Sequence, residues 1–178
     1  MSQPRPPKPA KLVISMFMSD RQAAAPVVSD LCAALGPVDM ISQWMRFGHT
    51  NYYAAEMGEP LHRRMVVFKE LIEQQSLAEI KHFTNRVERR FADGGRRRVN
   101  IDPGYLLPER FVLATGKNYS HRIFIGQGIY ADLTLIYRSG GFHPLEWTYP
   151  DYREDRMRNY LCAARRKYLD DLQRGSRI

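Results

Sequence analysis

Along the first third of the chain, the spacing of hydrophobic and polar residues alternates between the pattern of a strand and that of a helix. Lys11–Met18 is an almost unbroken apolar run, which is typical of a central strand. A helix is expected next, because Ser19 or Asp20 can cap its start and Gly36-Pro37 can end it. Pro37–Phe47 alternates in polarity, which predicts a strand with one face open to water.

The middle of the chain contains the strongest helical pattern. Gly48–Pro60 is expected to be a loop or a short helix, and Met65–Leu71 a strand. Ser76–Asp93 carries apolar side chains at helical spacing, and its first residue is placed to form a capping box with Glu79. Arg96–Tyr105 returns to strand-like alternation, with its polar side chains on the face opposite its apolar ones.

Three extended runs and one more helix complete the pattern. Asp151 is expected to cap the final helix, with Glu154 as its capping-box partner. The extended runs are Phe111–Thr115, Arg122–Ile125 and Ile129–Tyr137.

The order of the elements predicts an α+β fold with its helices on one face of an antiparallel sheet. The first six elements match a ferredoxin-like β-α-β-β-α-β core, extended by a β-hairpin or meander and a C-terminal helix. Residues 1–10 are expected to be a Pro-rich flexible tail, and residues 11–174 a single α+β domain.

Composition favours an ordinary globular protein in the cytoplasm. Hydrophobic residues make up 44% of the chain and charged residues 26%. No apolar run approaches the ~18 residues that a membrane span requires, and the N-terminal segment is too short for a secretory signal. Cys32 and Cys162 lack the spacing of a metal or redox motif, so we expect two buried, reduced thiols.

The first candidate site lies where the strand Arg96–Tyr105 ends. Asn100 and Asp102 share the polar face of this strand, and the preceding helix carries Lys81, Asn85 and Glu88 at spacings that stack them in a ridge. If this ridge faces the strand end, the groups could bind an anionic ligand, hold a metal or transfer protons. The alternative is a buried polar network, or a salt bridge between Lys81 and Glu88.

A second candidate site is the segment KNYSHR. Its Lys117 and Arg122 suit a phosphate or carboxylate, and its His121 could donate a proton, although a solvated hairpin loop is equally compatible with the segment. The predicted catalytic residues are therefore Asp102, Glu88 and His121. The predicted metal ligands are Asp102, Glu88 and Asp132, with Mg²⁺ or Mn²⁺ as the expected ion if a cofactor is needed.

Aromatic side chains supply further candidates. Tyr52, Tyr53 and Glu56 could stack on a ligand ring and hydrogen-bond to it, although a packed helical turn explains them as well. Trp147 is expected to fill part of the core.

The net charge of +8 opens a different class of function. Basic side chains concentrate between Arg86 and Arg98, which favours binding of RNA through phosphate contacts. The residues predicted for this alternative are Arg89, Arg90, Arg96, Arg97 and Arg98.

Several segments together resemble an uncharacterised bacterial family, the domain of unknown function 4416. These segments are TNYYAAEMG, LAEIKHFTNRVE, RRVNIDPGYL, KNYSHRIFIGQGIYADLTL and LEWTYPDYR, and the resemblance extends from about Lys11 to Tyr168. It implies a single-domain cytoplasmic protein and transfers no catalytic residue. Some members carry a GTP-binding label, which this chain does not support because it lacks a P-loop motif.

The sequence thus predicts a protein that binds or acts on a small phosphorylated or nucleotide-like ligand, with an RNA-binding module as the alternative. It leaves open whether the protein is an enzyme. No membrane partner is expected.

Overall fold

The computed structural model describes residues 2–48 and 53–175. The strands are β1 (Ala10–Met18), β2 (Val38–Ile41), β3 (Met45–Phe47), β4 (Leu61–Ile72), β5 (Val99–Leu107), β6 (Arg110–Thr115), β7 (Arg122–Gly126), β8 (Ile129–Arg138) and β9 (Gly141–Pro144). The helices are α1 (Ala24–Leu35), α2 (Ala54–Met57), α3 (Leu77–Arg90) and α4 (Asp155–Gly175). Short 3₁₀ turns occupy Arg21–Ala23, Gln74–Ser76 and Pro150–Arg153.

Within the described residues the strands form one nine-stranded antiparallel sheet. The order along its main path is β2-β4-β1-β5-β6-β8-β7, while β3 pairs with β4 and β9 pairs with β8. Every pairing between these strands is antiparallel. The predicted α+β class is confirmed at this level.

The helices cover both faces of the sheet, so the prediction that they share one face is wrong. Leu12 and Ile14 of β1 pack in one core with α1 and α3, whereas Val13 packs in a second core with Leu161 of α4. Every residue of β1 is therefore buried. The unbroken apolar run of β1 is the sequence signature of a strand that is covered on both sides.

The region predicted as one strand over Pro37–Phe47 is divided into β2 and β3. Ser42 interrupts it, since the Ser42 Oγ accepts a hydrogen bond of 2.9 Å from the backbone N–H of Met65. Strand β4, by contrast, begins four residues earlier than predicted and includes Arg63 as an inward-facing residue, 5% exposed.

Two predicted helix starts are also corrected. Ser76 makes no capping hydrogen bond, because α3 continues directly from a 3₁₀ turn. Asp151 lies in the 3₁₀ turn before α4 rather than at the start of α4, and its carboxylate forms an ion pair with Arg63. At α3 the difference arises because the 3₁₀ turn already satisfies the first backbone groups, with the backbone N–H of Leu77 bonded to the carbonyl oxygen of Gln74.

The sheet divides between β5 and β6, and this division positions the candidate site. β6 pairs with β5 only from Gly104 to Leu107, so the first half of β5 has an edge without a strand partner on that side among the described residues. A Cβ atom on Gly104 would lie 2.4 Å from the carbonyl oxygen of Val112. Gly104 therefore permits the close approach of the two strands at the point where they separate.

Candidate functional site

A cleft of about 740 Å³ lies at the division of the sheet. Side chains from α3, β4, β5, β6 and β8 contribute to its wall, together with the turn before α4. Its charged lining residues are Arg63, Lys81, Glu88, Arg97, Asp102, Lys117, Arg122, Asp132 and Asp151. Its aromatic lining residues are Phe17, Phe47, Tyr53, Tyr149 and Tyr152. The predicted ligand-binding residues Asn85 and Asn100 also line it.

Two side chains of α3 satisfy the free edge of β5. The Glu88 carboxylate accepts a hydrogen bond of 2.6 Å from the backbone N–H of Ile101, and Lys81 Nζ donates to the carbonyl oxygen of Ile101 at 2.9 Å. Lys81 also forms an ion pair of 3.0 Å with Asp102. The ridge thus faces the polar side chains of β5, as the sequence pattern suggested, and Lys81 pairs with Asp102 rather than with Glu88. The prediction that the strand ends just after Asp102 is wrong, because β5 continues to Leu107 and Asp102 lies in its first half.

A chain of hydrogen bonds continues from Asp102 along the same wall. Asn100 Nδ2 donates to Asp102 at 2.7 Å, and Arg97 Nη1 donates to Asn100 Oδ1 at 2.9 Å. Arg97 also holds both carboxylate oxygens of Glu56, at 2.8 and 2.6 Å. This bidentate pair lowers the pKa of Glu56 and raises the pKa of Arg97.

Glu88 has the opposite electrostatic environment. Its side chain is enclosed between α3 and β5, and burial raises the pKa of Glu88 above its ordinary value even though Lys81 and the Ile101 N–H oppose the change. The cleft therefore places a carboxyl group that favours protonation near Asp102, whose carboxylate accepts hydrogen bonds from Lys81 and Asn100.

Arg122 organises the facing wall. Its Nε donates to Asp132 at 2.9 Å, its Nη2 to the hydroxyl of Tyr149 at 2.8 Å, and its Nη1 to the carbonyl oxygen of Lys117 at 2.9 Å. Burial opposes the charge of Arg122, but the hydrogen bonds that Arg122 donates to Asp132 and Tyr149 raise the pKa of Arg122. These contacts fix both the guanidinium and the loop that carries Lys117.

His121 lies behind this wall. Its Nε2 is 3.3 Å from Asp132 Oδ2, and its ring stacks on Trp147 with the ring centres 5.0 Å apart. His121 is not among the lining residues of the cleft, and it contacts the lining residue Asp132 instead. Trp147 is 38% exposed, which corrects the prediction that it fills the core.

The three predicted metal ligands do not form a cluster. Among residues 2–48 and 53–175, no group of three His, Cys, Asp or Glu side chains is arranged to hold a metal ion. Instead, each of the three carboxylates accepts hydrogen bonds from protein groups. Lys81 and Asn100 donate to Asp102, the backbone N–H of Ile101 donates to Glu88, and Arg122 donates to Asp132. The predicted metal site at Asp102, Glu88 and Asp132 therefore receives no support.

The aromatic segment before α2 is only partly described. Tyr53 lines the cleft and Glu56 holds Arg97, whereas Tyr52 lies outside the described residues.

The basic residues predicted for RNA binding divide into two groups. Arg97 is half-buried and belongs to the cleft wall, apart from the exposed arginines. Ion pairs of 3.2 Å join Arg90 to Asp30 and Arg98 to Asp93. The exposed members are Arg89, Arg90, Arg96 and Arg98.

Sequence reasoning missed the buried pair Arg63 and Asp151. Both line the cleft, and the Arg63 guanidinium lies 4.4 Å from the ring centre of Phe47 and 5.1 Å from that of Tyr152. The only available signal was the alternation LHRRM, which extends β4 backwards and places Arg63 on the same face as Met65.

Fold and cleft together define an α+β protein whose single antiparallel sheet opens into a polar cleft. The family model described as Domain of unknown function (DUF4416) matches residues 8–168, and the chain belongs to this family. No curated protein and no solved structure matches the chain. None of the helices in the described ranges is long and apolar enough to cross a lipid bilayer.

Proposed function

We propose that the cleft binds a small phosphorylated or nucleotide-like ligand. The observation that carries this proposal is the presence of Lys81, Arg97, Lys117 and Arg122 on the walls of one cleft of about 740 Å³. This volume lies within the range of small-molecule sites, and Lys and Arg side chains are the usual partners of phosphate oxygens.

Preorganisation strengthens the proposal. Arg97 and Arg122 are each fixed by a carboxylate and by further hydrogen bonds, so little side-chain entropy would be lost when a ligand binds. Lys81 uses two of its three N–H groups on Ile101 and Asp102. The third N–H has no partner among the described residues and is the donor that we assign to the ligand.

An enzymatic role would use the two carboxyl groups near Lys81 in different ways. Glu88, whose pKa is raised by burial, would be the proton donor, and Asp102 would be the base. His121 would act through Asp132. Mg²⁺ or Mn²⁺ would then enter with the phosphate of the ligand rather than occupy a cage of protein ligands.

Thermal unfolding with a panel of phosphorylated compounds tests the proposal, each compound being measured with and without Mg²⁺ or Mn²⁺. A true ligand at about 100 times its Kd is expected to raise the Tm by roughly 5–10 °C. Lys117→Ala, in an exposed loop of the cleft wall, should reduce the shift. Arg89→Ala, on the exposed face of α3, is the matched control and should leave the shift unchanged. A complete absence of shifts would refute the proposal.

An RNA-binding role is the second candidate, favoured by the exposed residues Arg89, Arg90, Arg96 and Arg98 at the end of α3 and beyond. The charge of Arg89 and Arg90, in the last turn of α3, also complements the negative end of the helix dipole, which gives these two residues a structural role as well. Fluorescence anisotropy with mixed-sequence RNA separates the candidates. Combined Arg89→Ala and Arg96→Ala should weaken binding and flatten its salt dependence if RNA is the partner, whereas Lys117→Ala should not.

Two further assignments belong to the proposal. A ferredoxin-like core is proposed for β1 to β5 with α1 and α3, supported by the antiparallel order β2-β4-β1-β5 and by the order of these elements along the chain. A cytoplasmic location is proposed because Cys32 and Cys162 are free thiols. Both cysteines are half-buried, which corrects the prediction that they are buried.

A further inference from the structure

Arg63 is a buried cation in the cleft wall with unused hydrogen-bonding capacity. It is 5% exposed and lines the cleft. Its Nε atom is buried and has no hydrogen-bond partner among the residues that the structure describes. A buried donor without a partner is costly, which indicates that a bound molecule supplies the acceptor.

The charge of Arg63 is already balanced. Asp151 forms an ion pair with its guanidinium, and the side chains of both residues are nearly enclosed. An added anion at this point would gain little from a neutralised pair and would be repelled by the Asp151 carboxylate. A neutral acceptor, by contrast, needs only the hydrogen bond. The geometry therefore favours an uncharged oxygen or nitrogen atom beside Arg63.

The surroundings of Arg63 suit a flat group. The rings of Phe17, Phe47 and Tyr152 lie within 5.6 Å of its guanidinium carbon, and Tyr53 packs edge-on against Phe17 with the ring centres 4.9 Å apart. All four aromatic residues line the cleft. Aromatic walls of this kind bind planar rings through stacking and edge-to-face contacts.

We propose that Arg63 and its aromatic neighbours Phe17, Phe47, Tyr53 and Tyr152 form a subsite for an uncharged heteroaromatic ring. A carbonyl oxygen or ring nitrogen of this ring accepts a hydrogen bond from Arg63 Nε. The inference rests on the proposed function, because the phosphate of the same ligand binds to the cations elsewhere in the cleft. It narrows the ligand class to a ring-bearing phosphate and makes Arg63 the residue that determines ring specificity.

The first test compares ligands on the unaltered protein by isothermal titration calorimetry. The probes are ribose phosphate, which lacks a heteroaromatic ring, and a set of nucleoside monophosphates, which carry one. A hydrogen bond to a charged donor predicts binding of the best nucleoside monophosphate about tenfold or more tighter than that of ribose phosphate. Equal affinities overturn the ring subsite and leave the phosphate proposal standing. No binding of either probe overturns both.

The second test uses Arg63→Lys, which retains the charge opposite Asp151 but loses the Nε donor and the planar fork. The preference for the ring-bearing ligand should fall to within about threefold, while the affinity for ribose phosphate stays within about twofold. The matched control is Arg64→Lys, one residue along β4, where Arg64 Nε donates to the carbonyl oxygen of Ser42 instead. This control should keep the full preference.

A merely structural role of Arg63 gives a different result. Arg63→Lys would then weaken both ligands by the same factor, or leave both unchanged, and either outcome overturns the proposal. If Arg63→Lys does not fold, the comparison of ligands on the unaltered protein decides the matter by itself.

Discussion

At the scale of single residues, the cleft is built from side chains that complete the hydrogen bonding of the backbone. Lys81 and Glu88 bind the C=O and N–H of Ile101, the groups that an adjacent strand would otherwise pair. The same two side chains face the cleft. The same side chains therefore belong both to a structural hydrogen-bond network and to the candidate binding site. Substitutions must be chosen to separate their structural role from a role in binding.

Glu88→Gln and Glu88→Ala separate charge from hydrogen bonding. Because the folded-state pKa of Glu88 is raised, its ionised form opposes folding at pH values above that pKa. The glutamine amide oxygen could still accept from the Ile101 N–H, so the free energy of unfolding at neutral pH should equal or exceed that of the unaltered protein. Alanine leaves a buried N–H unpaired and should cost about 1–3 kcal/mol. Denaturant titration measures the free energy of unfolding of both variants. Equal losses of stability in the two variants would contradict the assigned role of the Glu88 hydrogen bond.

Gly104→Ala tests the close approach of β5 and β6. Its Cβ would lie 2.4 Å from the Val112 carbonyl oxygen and 3.0 Å from a methyl group of Leu113, so the strands must move apart. Overpacking of this kind should lower the free energy of unfolding by about 1–3 kcal/mol. Gly141→Ala, in β9 with no atom within 4 Å of the added Cβ, is the control. A neutral Gly104→Ala would show that β5 and β6 are not closely joined there.

At the scale of elements, α4 is attached to the sheet by an ion network around one buried lysine. Lys11, at 0% exposure, pairs with Asp39 of β2 at 2.9 Å and with Asp171 of α4 at 2.6 Å, and Lys167 pairs with both carboxylates. Burial opposes ionisation of Asp39 and Asp171, but the hydrogen bonds from the two lysines outweigh it and lower both pKa values. The network therefore links β1, β2 and α4.

Acid titration of stability tests this network. Groups with lowered folded-state pKa values stabilise above their ordinary pKa, so this stability should be lost as the pH falls below about 4. The double variant Asp39→Asn with Asp171→Asn should show a smaller decrease in unfolding free energy across that range. Asp170→Asn, at an exposed position of α4, is the matched control. An unchanged acid decrease in the double variant would contradict the assigned role.

At the scale of the whole molecule, local sequence patterns predicted some parts of the cleft, whereas other parts depend on contacts between residues that are distant in the chain. The helical spacing of Lys81 and Glu88 and the polar face that carries Asp102 are local patterns, so their meeting could be inferred from the sequence. The Arg63–Asp151 pair depends on the register of β4 and on a turn far along the chain, which no periodicity encodes. The face of the sheet on which α4 packs was not predicted, for the same reason. The unbroken apolar run of β1 nevertheless indicated a strand that is covered on both faces.

The cleft also shows why some arginines of this chain are half-buried in its wall whereas others are exposed to solvent. Arg97 and Arg122 are drawn into the division of the sheet by carboxylates from other segments, Glu56 and Asp132. Arg89, further from that division, stays exposed on α3. Clustering of arginines in the sequence therefore does not show which of them line the cleft, since the Glu56 carboxylate that holds Arg97 lies 41 residues away in the chain.

A crystal structure of the protein with the tightest ligand from the thermal screen tests the central claim most directly. We expect the ligand in the division between β5 and β6, with phosphate oxygens within hydrogen-bond distance of Lys81 or Lys117. A ligand lying on the exposed arginines of α3, outside the cleft, would contradict the claim.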